Sequence, residues 1–274
     1  MGQHTENPQH FHSSGKILKG LGTGTNIDEH KRAIEDLHKS IRARDDLMSI
    51  CGHELKTPLT TLNLLVQLTE KRIARGDVSV YEPVHVQNIL SKFGSQIERL
   101  ARLVDDMLDV TILNSGKLCL NFEEVNLSLL VVDVLDRFSN ELQASGCTVS
   151  VSAISDVIGT WDKFRLEQVL INLLTNAMRY GQAKPISIVV GRQDNSAYFS
   201  VQDQGIGIAK QDQVRVFQRF ERAISSSEVR GLGLGLYIVE SIVSAHRGSI
   251  LLESALGEGS KFTVELPIFA GAGE

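Results

Sequence analysis

The sequence predicts two unlike units in series: an all-α antiparallel helical hairpin that pairs into a dimeric four-helix bundle, then an α+β two-layer sandwich. Three observations predict this. Ile27, Ile34, Ile41 and Met48 recur every seven positions, the spacing of a two-stranded coiled coil. Ile89/Leu90, Phe93, Ile97, Leu100, Val104 and Met107/Leu108 step by threes and fours, as one face of an amphipathic helix does. Beyond about residue 115 the pattern changes to short apolar runs punctuated by Gly, Asn and Asp, which read as strands interleaved with helices.

Residues 1–25 combine Gly, Ser, Thr and His without periodicity and are expected to form a flexible tail. Thr25/Asn26 suits a helix N-cap, with Asp28 and Glu29 in the first turn. One helix is expected from about 27 to 75. Its stripe continues through Leu55, Leu59, Leu62 and Val66; Leu37 fills one interleaved position and Arg44 interrupts the next. Gly76, Asp77 and Pro83 mark the turn into the second helix. Each helix of the hairpin buries only one face, so a homodimer is needed to cover the rest.

A boundary near LNSGKL (113–118) gives a coiled-coil and bundle domain over 26–115 and a second domain over 116–274. There KLCLNFEEV is expected as a strand, NLSLLVVDVLDRFSNELQAS as a helix and CTVSVSA as a strand. Asp162 caps a helix reaching about Tyr180, and ISIVVGR and AYFSVQD follow as strands. A helix over 233–246 then precedes the strands SILLES and SKFTVELP. Helices are expected on one side of the sheet, which is not doubly wound.

Composition excludes several classes. The 274 residues are 42% hydrophobic with a net charge of −5, so no basic surplus points to nucleic acid or anionic lipid. No apolar run reaches the about 18–20 residues of a membrane span, and the polar start lacks a signal-peptide core. Cys51, Cys119 and Cys147 are scattered and lack metal-ligand spacing; free thiols in a reducing cytoplasm are expected.

GHELKTPL (52–59) carries the first chemistry. At about 100° per residue, His53 lies about 180–240° from Met48, Leu55, Leu59 and Leu62, so it points away from the apolar stripe. Thr57 shares its face and Glu54 flanks it. HELKT lacks the second histidine of a helix zinc site. An exposed imidazole beside a carboxylate suits nucleophilic catalysis, one nitrogen attacking while the carboxylate holds the other N–H. Pro58 removes the helical partner of the Glu54 carbonyl and bends the helix, opening room for an approaching partner.

The second domain has three separated signals. In NLLTNAMRYG (172–181), Asn172 and Asn176 share one helical face, as do Thr175 and Arg179; amide oxygens suit a hard cation such as Mg²⁺, although capping or solvated Asn is the plainer reading of this motif taken by itself. DQGIGI (203–208) puts Asp203 at a strand end, and Gly205 and Gly207 permit close backbone approach to a ligand. GLGLGLYIV (231–239) runs a Gly-rich loop into a helix, whose bare N–H groups form an anion site. Its GxGxG spacing and surroundings fit neither a dinucleotide fold nor a Walker loop. The segment AKQDQVRVFQRFERAISSSEVR between them is polar and lid-like.

Together these stretches resemble the sensor histidine kinases of two-component systems. The resemblance spans about residues 27–267 through GHELKTPL, NLLTNAMRYG, DQGIGI, VFQRFER and GLGLGL, in the family's order. It implies a HisKA dimerisation and phosphoacceptor bundle followed by a GHKL ATP-binding domain of the Bergerat type. His53 is then the phosphoacceptor, Glu54 its acid/base partner, and Thr57 the position that helps place water for dephosphorylating the response regulator. Asn176 is implied to hold Mg²⁺, with Asn172 beside it, while Arg179 and Tyr180 contact ATP. Asp203 would read the adenine amino group, with Gly205 and Gly207 lining the base pocket. Arg222, Gly231, Gly233 and Gly235 would meet the phosphates. Hydrolytic members of this fold carry Glu where Asn172 stands, so transfer to histidine is expected over brisk hydrolysis. Arg179 departs from the family's commoner Lys, and too few residues precede the coiled coil for a recognisable input module. The implied partner is a response regulator receiver domain, with phosphatase action toward it left open. An ATP-gated scaffold or ATPase without histidine phosphorylation is the alternative.

Overall fold

The computed structural model describes residues 27–114, 118–153, 156–221 and 232–268. The expected tail, the Thr25/Asn26 cap, residues 115–117 of the expected boundary, Arg222 and Gly231 lie outside them. The chain divides into two compact units, Met1–Ile50 and Cys51–Glu274. The described part of the first is the leading stretch of α1 (Ile27–Ala74). Ile34 and Met48 of the seven-residue repeat are exposed there; the side chains of Ile27, Leu37 and Ile41 are not among those described.

In the second unit α1 continues unbroken through Pro58, which is buried. The turn that follows is pinned by Arg72, whose guanidinium donates to Asp77 at 2.8 Å and Ser79 at 2.9 Å and contacts His85 Nε2 at 2.6 Å. Asp77 also accepts from the Ser79 N–H and hydroxyl, and these bonds hold its carboxyl down at about 2. Pro83 opens α2 (Pro83–Asn114), where its missing N–H leaves nothing unsatisfied. The hairpin buries Cys51, Leu103 and Val110 but leaves Leu59, Leu90, Ile97 and Leu108 at 50–64% exposure. Those apolar rows are what the sequence places in a bundle core.

The remaining elements are β1 (Glu123–Asn126), α3 (Leu127–Arg137), α4 (Ser139–Ser145), β2 (Val149–Ala153), β3 (Ile158–Trp161), α5 (Lys163–Tyr180), β4 (Ile186–Gln193), β5 (Ser196–Gln202), α6 (Gly235–Ala245), β6 (Ser249–Ala255) and β7 (Gly259–Pro267). Five strands form one sheet in the order β2-β4-β5-β7-β6, and β1 pairs antiparallel with β3 in a second. Only β2–β4 is parallel in the larger sheet; the other pairs are antiparallel. The sheet is therefore not doubly wound, as expected. β4 alternates buried Ile186, Ile188 and Val190 with half-buried neighbours, the period of a strand with one packed face. Leu170, Leu173 and Leu174 of α5 and Ile238, Val239 and Ile242 of α6 are 0–1% exposed and supply the helical layer.

Three expectations need correction. The helix expected from NLSLL to LQAS is two helices, because Phe138 leaves helical geometry (φ −94°, ψ 7°). The first strand is Glu123–Asn126, which takes in only the last three residues of KLCLNFEEV. The strand β3 was not expected. It is short and lies beside the Asp162 cap, and its Trp161 is held by donating Nε1–H to the Pro267 carbonyl at 2.8 Å, a partner 106 residues away.

The start of α5 is fixed twice. Asp162 accepts from the Arg165 N–H at 3.0 Å on one oxygen and from the Asn121 N–H at 2.9 Å on the other. The Asp162 N–H in turn donates to Nε2 of the fully buried His246 at 3.0 Å. His246 Nδ1 lies 2.9 Å from the Ile242 carbonyl, which makes the imidazole neutral with its proton on Nδ1. Burial lowers its pKa. The N-terminal end of α5 is thereby joined to the C-terminal end of α6, and these two helices carry the site.

Candidate nucleotide and phosphoacceptor sites

α5, the β5 end and the start of α6 enclose a cavity of about 800 Å³, walled on another side by α2. Asn172, Asn176, Arg179, Tyr180, Asp203, Gly207, Gly233 and Gly235 all line it. Asn172 and Asn176 sit one turn apart on α5, both half-buried. A Cβ built on Gly235 would lie 3.4 Å from Asn172 Oδ1, so the first turn of α6 adjoins that amide. No side-chain hydrogen bond among the described residues caps α6. Leu234, Gly235 and Leu236 at this end line the cavity, and uncapped N–H groups at a helix start suit an anion.

Asp203 is 5% exposed at the floor. Its Oδ1 accepts from the Gly205 N–H at 2.8 Å, and burial raises its pKa despite that bond. A carboxyl so placed gains from a ligand N–H donor. Of the glycines of DQGIGI, Gly207 lines the cavity as expected and Gly205 does not. A Cβ on Gly205 would overlap the Tyr180 carbonyl, and one on Gly207 (φ +67°) the Ala255 carbonyl. Their smallness closes the loop onto α5 and β6. Leu232, Leu234, Ile206 and Phe262 complete the wall; their apolar character gives no site signal in a sequence.

His53 lies apart from this group. Its side chain is 81% exposed, as the helical phase predicted, and none of His53, Glu54 and Thr57 lines the cavity. His53 Nδ1 is 3.7 Å from Glu54 Oε1, beyond a hydrogen bond. The other carboxylate oxygen accepts from Arg99 on α2 at 3.1 Å. Thr57 is half-buried and its hydroxyl donates to the His53 carbonyl at 3.2 Å. Arg99 was missed from the sequence, although it lines the cavity and so links the two sites. The available signal was Arg99, Arg102, Asp106 and Asp109 recurring by threes and fours along α2.

Residues 43–116 match the His Kinase A (phospho-acceptor) domain, and residues 161–269 match the histidine kinase-, DNA gyrase B-, and HSP90-like ATPase domain. The chain belongs to the two-component sensor histidine kinases. It is 32% identical over 242 residues to sensor histidine kinase RppB of a Synechocystis species, covering 87% of this chain and 52% of RppB. It is 30% identical over 257 residues to sensor protein SrrB of Staphylococcus aureus, covering 92% of this chain and 42% of SrrB. The chain thus spans about half the length of these curated relatives. Among solved structures, histidine kinase AdeS of Acinetobacter baumannii aligns with a TM-score of 0.60 and 29% identity, over 79% of this chain and 98% of AdeS. The two matched regions fall on the helical hairpin and on the sandwich respectively. Among the described residues no helix is long and apolar enough to cross a membrane.

Proposed function

We propose that this chain binds ATP in the α5/α6 cavity and phosphorylates His53, then passes the phosphoryl group to an aspartate of a response regulator. The observation that carries the reading is the convergence of Asp203, Asn172, Asn176 and the uncapped α6 terminus on one cavity, while an exposed imidazole with a flanking carboxylate stands on the adjoining hairpin. Asp203 is to accept from the adenine amino group. The α6 N–H groups and Arg179 are to neutralise phosphate charge. Arg222 and Gly231 belong to the same proposal from sequence alone.

Asn176 fits as the Mg²⁺ ligand, with Asn172 beside it. Their amide oxygens are hard donors and both residues line the cavity, and no group of three His, Cys, Asp or Glu among the described residues offers another metal site. When bound, Mg²⁺ supplies charge neutralisation at the triphosphate.

His53 Nδ1 faces Glu54, so Nε2 is the nucleophile in this reading. Its lone pair forms the N–P bond to the γ-phosphorus as the bond to the bridging oxygen breaks, and ADP leaves with that electron pair. Glu54 accepts the Nδ1 proton's hydrogen bond and stabilises the imidazolium that develops. That step requires Glu54 to turn from Arg99 toward His53, a rotamer change across 3.7 Å. Two chains pair through the exposed rows of the hairpin, and the proposed reaction, which draws on ATP, belongs in the cytoplasm. Thr57 serves phosphatase action on the regulator.

Incubation of wild type and His53→Gln with γ-labelled ATP and Mg²⁺ tests the reading. Acid-labile, alkali-stable label on the wild type alone is expected. Absence of label on wild type that still binds nucleotide would overturn it.

A further inference from the structure

Downstream of β5 a short 3₁₀ turn, Arg215–Phe217, runs along the rim of the cavity. Val216 is buried in the cavity wall, and Phe217 meets Phe262 of β7 edge to face with ring centres 6.4 Å apart. The chain then comes against the loop that opens α6. The Phe220 N–H donates to the Gly233 carbonyl at 3.1 Å. The two backbones are so close that a Cβ on Gly233 would stand 2.8 Å from the Glu221 carbonyl oxygen. Both partners of that bond are left-handed, Phe220 at φ +64° and Gly233 at φ +68°. Glycine takes up that region freely and phenylalanine does not, so Phe220 stays there only if its surroundings hold it.

Arg219, the preceding residue, reaches further. Its guanidinium carbon lies 4.6 Å from the centre of the Tyr237 ring, and Nη2 donates to the Tyr237 hydroxyl at 2.6 Å. A planar guanidinium can stack and donate at once, whereas a lysine ammonium cannot. Tyr237 is the third residue of α6, and both side chains are half-buried. Residues 219 and 220 thus hold the opening of α6 at two points, the loop at Gly233 and the helix at Tyr237. Neither Arg219 nor Tyr237 lines the cavity, but Glu221, Gly233, Gly235 and Leu236 beside them do. With no side-chain cap on α6, the helix start depends on such outside contacts for its shape.

We infer that Arg219 is a positioning residue for the phosphates: through Tyr237 it fixes the opening of α6 in the shape that receives them, without touching the nucleotide. The inference rests on the nucleotide site proposed above. Backbone N–H groups hold an anion well only when they converge on one spot. A loop kept in that shape beforehand spares the ligand the cost of ordering it. Asp203, at the other end of the site, is fixed by its own bonds to Gly205 and Ser260. Loss of Arg219 therefore loosens the grip on the phosphates and leaves recognition of the base as it is.

The test titrates the full chain, in Mg²⁺, with a non-hydrolysable ATP analogue by calorimetry and with adenosine by ligand-observed NMR. Arg219→Ala and Tyr237→Ala are each expected to weaken the analogue about five- to tenfold and to leave adenosine within about twofold. Because the two side chains act as one unit, the double variant should bind no more weakly than either single one. Tyr237→Phe keeps the ring and Arg219→Lys the charge; each should recover part of the loss, and they replace the alanine variants should those fail to fold. An equal loss for both ligands would reduce the pair to a support of the fold and overturn the inference. A loss with Arg219→Ala but none with Tyr237→Ala would overturn it as well, since the guanidinium would then meet the phosphates itself. Amide hydrogen exchange over residues 234–237 reads the same hold without nucleotide and is expected to quicken about tenfold in Arg219→Ala. A wild type that binds neither ligand, yet whose Arg219→Ala variant exchanges faster there, would overturn the nucleotide reading and leave the hold standing.

Discussion

Glu54 on α1 is held by Arg99 on α2 at 3.1 Å, while its second oxygen stops 3.7 Å short of the His53 imidazole. The carboxylate is thus shared between a cation that fixes it and the imidazole proposed as the nucleophile. Both partners are largely buried, at 18% and 25% side-chain exposure, so the pair is screened little by solvent.

Glu54→Gln keeps the shape but loses the charge that stabilises the imidazolium. Its expected effect is a fall of about 10²-fold or more in the phosphorylation rate at unchanged ATP affinity. Arg99→Ala leaves Glu54 free but unoriented, and a loss of about tenfold or less is expected. Steady-state label incorporation at varied ATP separates rate from affinity. A rise in KM alone for either variant would show that the pair serves nucleotide binding instead.

Asp203→Asn retains the bond from the Gly205 N–H but presents an amide to the ligand. Nucleotide binding is expected to weaken by about 10²-fold, in line with leaving a polar group unpaired in a built site. Titration calorimetry with a non-hydrolysable ATP analogue measures it, and an unchanged melting temperature would confirm that the fold is intact.

His246 gives a pH signature. Its folded pKa is lowered by burial, so its contribution is present above the ordinary imidazole range, near 6.5, and is lost as pH falls below it. The unfolded chain takes the proton that the folded chain refuses. The stability of wild type relative to His246→Phe is expected to fall by up to about 1.4 kcal/mol per pH unit between pH 6.5 and 5. Urea unfolding of both at pH 8 and 5 checks the sign. A constant difference would mean that His246 is protonated in place.

The apolar rows of the hairpin predict oligomeric state. Leu90 and Ile97 are 64% and 57% exposed on α2, and burying each against a second copy is worth about 1.5–3 kcal/mol per side chain. Leu90→Glu with Ile97→Glu is expected to convert a dimer to a monomer in analytical ultracentrifugation. A dimer that survives both changes would place the interface elsewhere.

Much of this was legible in the residues. Helical phase alone put His53 on the face opposite the stripe, and it is exposed; the cap at Asp162 and the strand leading into DQGIGI followed from local chemistry. β3 was not legible, because a four-residue strand is defined by its partner β1 and by the Trp161 bond to Pro267. Nor was the purpose of Gly205 and Gly207, whose tight neighbours come from α5 and β6. Arg99 and Asp109 read as solvated helix surface until α1 and α5 are packed beside them.

The sequence by itself determined the two-part architecture, the exposure of His53 and the family, because helix period, capping and glycine-rich motifs act over a few residues at a time. Only the tertiary structure decided which charges meet. The Glu54–Arg99 and Asp109–Arg165 pairs join residues 45 and 56 positions apart. Coulomb attraction and desolvation depend on distance through space, and no local pattern encodes that distance.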